Sequence, residues 1–110
     1  MAPRYTFSIE EPTLDCAGDC YVEIAFRTNA PGSTKVVLQA KTRKGWRTVP
    51  ESLSTRVRDG QVTSNWMQRP TKYRVVLKTR PRQVSRTVTA RFDQTDIKES
   101  LASGWPQGDP

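Results

Sequence analysis

Arg69-Pro70-Thr71-Lys72-Tyr73-Arg74-Val75-Val76-Leu77-Lys78 decides how this chain is read, because a turn signal, a polar-tipped aromatic and an alternating run meet there. Pro70 cannot donate to a β ladder and fixes its own φ, so it closes whatever strand precedes it and leaves a corner before Lys72. Beyond the corner, side-chain alternation puts Tyr73, Val75 and Leu77 on one face and Arg74, Val76 and Lys78 on the other. The expectation is a strand whose tyrosine buries its ring and gives its hydroxyl a hydrogen-bond partner.

Working outward, the flanks carry the same period of two. Tyr5, Phe7 and Ile9 share a face of a first, edge strand closed by Pro12. Val22, Ile24 and Phe26 alternate with Tyr21, Glu23, Ala25 and Arg27, the signature of a core strand. In the third strand Val36, Leu38 and Ala40 face inward, and Lys35, Val37, Gln39 and Lys41 outward. Trp46 to Val49 makes a short strand ended by Pro50; Val62, Ser64 and Trp66 share a face of another; Val88, Ala90 and Phe92 point inward from the last. Turn chemistry separates them at residues 29–33, 43–45, 59–60 and 80–82. Residues 13–19 read as a loop, residues 51–58 have no clear pattern, and Trp46 and Trp66 are expected in the core and its rim.

Tyr73 behind its corner resembles the tyrosine corner of Greek-key sandwiches. Taken with the strands around it, the chain resembles a bacterial immunoglobulin-like or fibronectin-III-like β-sandwich module over residues 5–92. Such modules occur in cell-surface proteins of high-GC bacteria and in virion proteins of their phages. The resemblance implies an all-β, immunoglobulin-like Greek-key β-sandwich of about seven strands. The domain is expected over residues 1–92, with a short acidic tail over 93–110. Val75 stands where antibody-type domains place the second cysteine of their inter-sheet bridge, so that subclass is not expected.

A chain of 110 residues is one domain with a modest core. No apolar run approaches the ~20 residues of a membrane helix, so no membrane insertion is expected. Nothing hydrophobic follows Met1-Ala2-Pro3-Arg4, which suggests a protein that stays in the cell where it is made; the alternative is a domain trimmed from a longer precursor. There is no histidine, which removes Ser-His and Cys-His nucleophile pairs and the commonest proton shuttle at neutral pH. Two cysteines without histidine cannot complete a structural zinc site, and Asp15, Asp19 and Glu23 lack the spacing of a calcium loop. The expectation is therefore no catalytic residue, no metal and no cofactor. Cys16 and Cys20 have two readings: a disulfide that pins the first loop, or two reduced small residues within it.

Charge is segregated along the chain. Residues 1–30 carry Arg4 and Arg27 against Glu10, Glu11, Asp15, Asp19 and Glu23, a net −3. Residues 31–92 oppose fifteen basic residues to Glu51 and Asp59, a net +13, and residues 93–110 set Lys98 against Asp93, Asp96, Glu99 and Asp109, a net −3. A basic middle between acidic ends points to a polyanionic partner or to association between copies. If the third, tyrosine and last strands share a sheet, Lys41, Arg43, Arg74, Lys78 and Arg91 gather on its outer face with Gln39 and Thr89 between them. That face is either a docking surface or a solvated sheet face, and without outward aromatics it is a poor platform for single-stranded nucleic acid. In the tail, Asp96-Ile97-Lys98-Glu99 resembles a capping box, with Ile97 and Leu101 a helical turn apart and Trp105 a candidate anchor.

These features lead to a non-catalytic structural or binding module. The specific expectation is a small accessory virion protein of a phage, such as a capsid decoration subunit, made in the host cytoplasm and contacting other virion subunits or copies of itself. The alternatives are an immunoglobulin-like domain of a secreted or cell-surface protein that binds a glycan or protein, and an intracellular nucleic-acid binder using the basic face.

Overall fold

The computed structural model describes residues 4–65 and 70–92. The expected tail helix and its anchor residues Ile97, Leu101 and Trp105 lie outside the described residues, as do Trp66 and the corner residues 66–69. The described chain is all-β, with two antiparallel sheets and two short 3-10 turns.

In the first sheet the long strand β3 (Asp19–Thr28) pairs with β1 (Phe7–Ile9), β2 (Thr13–Ala17) and β6 (Gln61–Asn65). The Glu10 N–H donates to Ala25 O, whereas the Phe26 N–H donates to Gly60 O beside β6. Successive residues of a strand address opposite edges, so β1 and β2 lie along the same edge of β3 with Pro12 interrupting them. In the second sheet β4 (Val36–Thr42) lies between β5 (Gly45–Thr48) and β7 (Thr71–Leu77). The far edge of β7 is taken first by β9 (Val88–Ala90), then by β8 (Gln83–Val84).

The alternation expected for β7 is observed. Thr71, Tyr73, Val75 and Leu77 are buried while Lys72 is exposed and Arg74 half-buried. Val22, Ile24 and Phe26 of β3, Val36 and Leu38 of β4, Val62 of β6, and Val88 and Ala90 of β9 join Tyr73, Val75 and Leu77 in one cluster, with Tyr5, Phe7 and Phe92 packed against it. Each fully buried aliphatic side chain contributes about 1.5–3 kcal/mol of transfer free energy, so this shared core binds the sheets together.

Several expectations need correction. Residues 13–19 are not a loop: β2 folds back on β3 as a hairpin, with Cys16 directly opposite Cys20 and the pair disulfide-bonded. Gly18 sits at its tip with φ +103°, a conformation that costs glycine little. The pattern was hidden because Leu14 and Cys16 are the only apolar inward positions of a strand so short. Val37 and Val76 stand opposite each other on the outward face yet are 6% and 2% exposed. Lys35 and Lys78 flank them on one side and Gln39 and Arg74 on the other, and long stems of this kind can cover apolar surface. Asp59-Gly60 does not join two strands; it ends the second 3-10 turn, and Gly60 takes φ +74° as its cap.

Residues 51–58 resolve into 3-10 turns at Pro50–Ser52 and Val57–Asp59. Ser52 explains the first. Its side chain is fully buried, accepts the Leu38 N–H at 2.9 Å and donates to Val49 O at 2.7 Å, so one hydroxyl satisfies a strand donor where β5 has ended. Two polar contacts also tie the sheets at the edge they share. Arg86 donates to Ile9 O and pairs with Glu11 at 3.1 Å, and the Gln83 amide, oriented to satisfy both groups, pairs with the N–H and C=O of Tyr5.

Two substitutions test this account. Ser52→Ala strands a buried N–H and is expected to destabilise by about 1–3 kcal/mol in urea unfolding; an unchanged midpoint would remove the role given to the hydroxyl. Tyr73 is 1% exposed and its hydroxyl donates to Ser64 Oγ at 3.3 Å. Tyr73→Phe is expected to cost roughly 1 kcal/mol, and an unchanged melting temperature would show that this buried bond contributes nothing.

Candidate functional site

The outer face of the second sheet follows from the register. Gln39 opposes Thr48 on β5 and Arg74 on β7, Lys41 opposes Trp46, and Lys72 opposes Thr89. Cross-strand partners share a face, so Trp46, Lys41, Gln39, Arg74, Lys72 and Thr89 are all on the outside. The expectation that Trp46 fills the core is therefore wrong. A tryptophan on a short edge strand has two faces available, and parity with Lys41 sends this one outward.

Trp46 organises the face. The Arg74 guanidinium reaches across β4 and lies 4.3 Å from the indole centroid, and the Lys41 ammonium lies 5.6 Å from it. Gln39, on the intervening strand, accepts the Arg74 Nε–H at 2.8 Å and holds the guanidinium in position. A cation over an indole gains about 0.5–1 kcal/mol at an exposed site, and more when partly desolvated. The ring thus holds two like charges close together that would otherwise separate into solvent. The expectation that this face has no outward aromatic is likewise wrong: Trp46 is one, and two cations lie against its ring.

The other expected residues border this centre. Lys78 continues the outward alternation one rung past β7, where its N–H donates to Lys35 O at 2.9 Å. Arg43 is exposed in the turn between β4 and β5, and Arg91 is exposed just past β9. The structure thus brings Lys41 and Arg74 together and leaves Arg43, Lys78 and Arg91 at the margins. Lys72 was missed as a member of the face although strict alternation from Arg74 marks it, and Lys35, read as outward on the third strand, was left out of the basic group. Among the described residues no carboxylate shares this face.

The opposite side of the molecule has the reverse charge. On β3 the outward residues are Asp19, Tyr21, Glu23, Ala25 and Arg27; Asp15 of β2 and Asn65 of β6 flank Tyr21. Asn65 in turn donates to Glu51 at 2.6 Å, drawing another carboxylate toward this side. Asp15 and Asp19, read from sequence as loop residues, are strand residues, and with Glu23 they spread over a sheet surface. Among the described residues no group of three or more His, Cys, Asp or Glu side chains is placed to hold a metal ion, and no helix is long and apolar enough to cross a membrane. Compared with models of protein families, with curated proteins and with solved structures, the chain matches none.

The Trp46 centre can be measured directly. In a double-mutant cycle of Trp46→Ala and Arg74→Ala, the expected coupling is about 0.5–1 kcal/mol in unfolding free energy. Additive effects would mean that the stacked geometry carries no energy.

Proposed function

We propose that this chain is a non-catalytic structural or binding module that docks through the outer face of its second sheet onto an acidic surface. The observation that carries this is the Trp46–Arg74–Lys41 arrangement on a face with no carboxylate among the described residues. A solvated face that only discourages aggregation needs charge, but has no need of a tryptophan that holds two cations in place. Tryptophan and arginine are the residues enriched at contact surfaces and at their energetic centres.

The immunoglobulin-like reading belongs to the same proposal. Joining β1 with β2 and β8 with β9, which share edges, leaves strand paths split three and four between the sheets, and this supports the resemblance of residues 5–92 to such modules. Within that resemblance, the setting we favour is an accessory virion protein of a phage, a capsid decoration or similar subunit whose partners are other virion proteins. The Cys16–Cys20 bridge favours a second setting, a domain of a secreted or cell-surface protein, because disulfides persist in oxidising surroundings.

Binding of the full chain to poly-L-glutamate and to a double-stranded DNA fragment, at about 50 and about 200 mM salt, tests the docking role. Poly-L-glutamate is expected to bind at low salt, weaken as salt rises, and bind substantially less well to the Lys41→Ala/Arg74→Ala variant. Tighter and more salt-sensitive binding to DNA would move the assignment to nucleic acid. Failure of both probes at low salt would remove the docking role. Detecting the chain at fixed stoichiometry in purified phage particles would decide the setting.

A further inference from the structure

We infer that the acidic surface which the basic face accepts is the outer face of the first sheet on a second copy of this chain, so that copies associate head to tail. The inference rests on the docking role above and names its partner. Among the described strand residues each outer face has one aromatic whose nearest charged neighbours are of a single sign; Arg27 lies farther along β3, at the end of the acidic face. On the second sheet it is Trp46, with Lys41 and Arg74 on its ring. On the first it is Tyr21, 38% exposed, with Asp15 opposite it and Asp19 and Glu23 two residues away on either side.

The fold decides how these faces can meet. The two sheets share one core, and packed sheets lie ~10 Å apart with their outer faces directed away from each other. Side chains on one outer face therefore cannot reach the other within a copy. Two copies meeting basic face to basic face, or acidic face to acidic face, would set like charges opposite one another. Basic against acidic is the attractive pairing, and it brings Trp46 and Tyr21 into the centre of a contact rimmed by complementary charge. Because the two surfaces differ, the contact is heterologous: every copy added leaves one free face of each sign, and the assembly extends or closes into a ring instead of stopping at a two-fold dimer.

Sedimentation of the full chain over a range of concentrations tests this without any substitution. At about 20 mM salt the mean mass is expected to rise with concentration past the dimer; at about 500 mM, where the Debye length is shorter than the contact, it should return to the monomer. Two charge-reversed variants make the test specific. Lys41→Glu/Arg74→Glu puts acidic charge against Trp46 as well as around Tyr21, and Asp15→Lys/Glu23→Lys puts basic charge beside both rings. All four positions face outward, so both variants are expected to fold; Arg74→Glu gives up its contacts with Gln39 and Trp46, so that variant is expected to melt about 4–8 °C below the parent. Each variant alone should remain monomeric, and an equimolar mixture should form complexes containing both.

A parent chain that stays monomeric at low salt, a mass that plateaus at a dimer, or folded variants that do not combine would each overturn the head-to-tail contact. Binding of the parent to poly-L-glutamate would survive any of these results, so loss of the self-contact and loss of the docking role are told apart.

Discussion

The structure depends on the mutual burial of two strand faces, Val22, Ile24 and Phe26 of β3 and Tyr73, Val75 and Leu77 of β7. Both strands are paired along both edges, so each is an interior strand of its sheet. Once these faces are placed against each other, the period of two leaves no choice for the rest. Every residue between the inward ones must point to the outer face, and whatever charge it carries becomes the charge of that side of the molecule.

That constraint turns a charge pattern along the chain into a charge pattern in space. The acidic N-terminal third supplies β2 and β3, and its carboxylates occupy the outside of the first sheet. The basic middle supplies β4, β5 and β7, and Lys41, Lys72 and Arg74 occupy the outside of the second. The sheet connecting these strands brings β5 within reach of β7 only across β4, and an arginine is long enough to make that crossing. Gln39 fixes the path and Trp46 receives the guanidinium. A lysine at position 74 could not stack its head group flat on the ring, since the planar guanidinium is what fits there.

Where local and tertiary preferences compete, the molecule uses polar side chains to finish what the strands leave undone. Ser52 supplies the acceptor that Leu38 lacks once β5 has ended, and Gln83 pairs with Tyr5 much as a strand backbone would. Such contacts depend on which segments meet, so neither is visible in a sequence pattern. The short hairpin of β2 was missed for a related reason. With few inward positions, its periodicity is too weak to stand out, and the disulfide that secures it depends on Cys16 and Cys20 being opposite one another, not merely near in sequence.

The sequence by itself determined the all-β class, the inward faces of β1, β3, β4, β7 and β9, and most of the basic residues on the second sheet, because side-chain alternation is a local property that needs no knowledge of neighbours. The direction of Trp46, the convergence of Arg74 and Lys41 on it, the burial of Val37 and Val76 on the outward face, and the separation of acidic from basic charge onto opposite sides were decided only by tertiary structure. Each of these depends on which strand lies beside which, and strand order is set by the packing of the whole core, information that no single stretch of the chain contains.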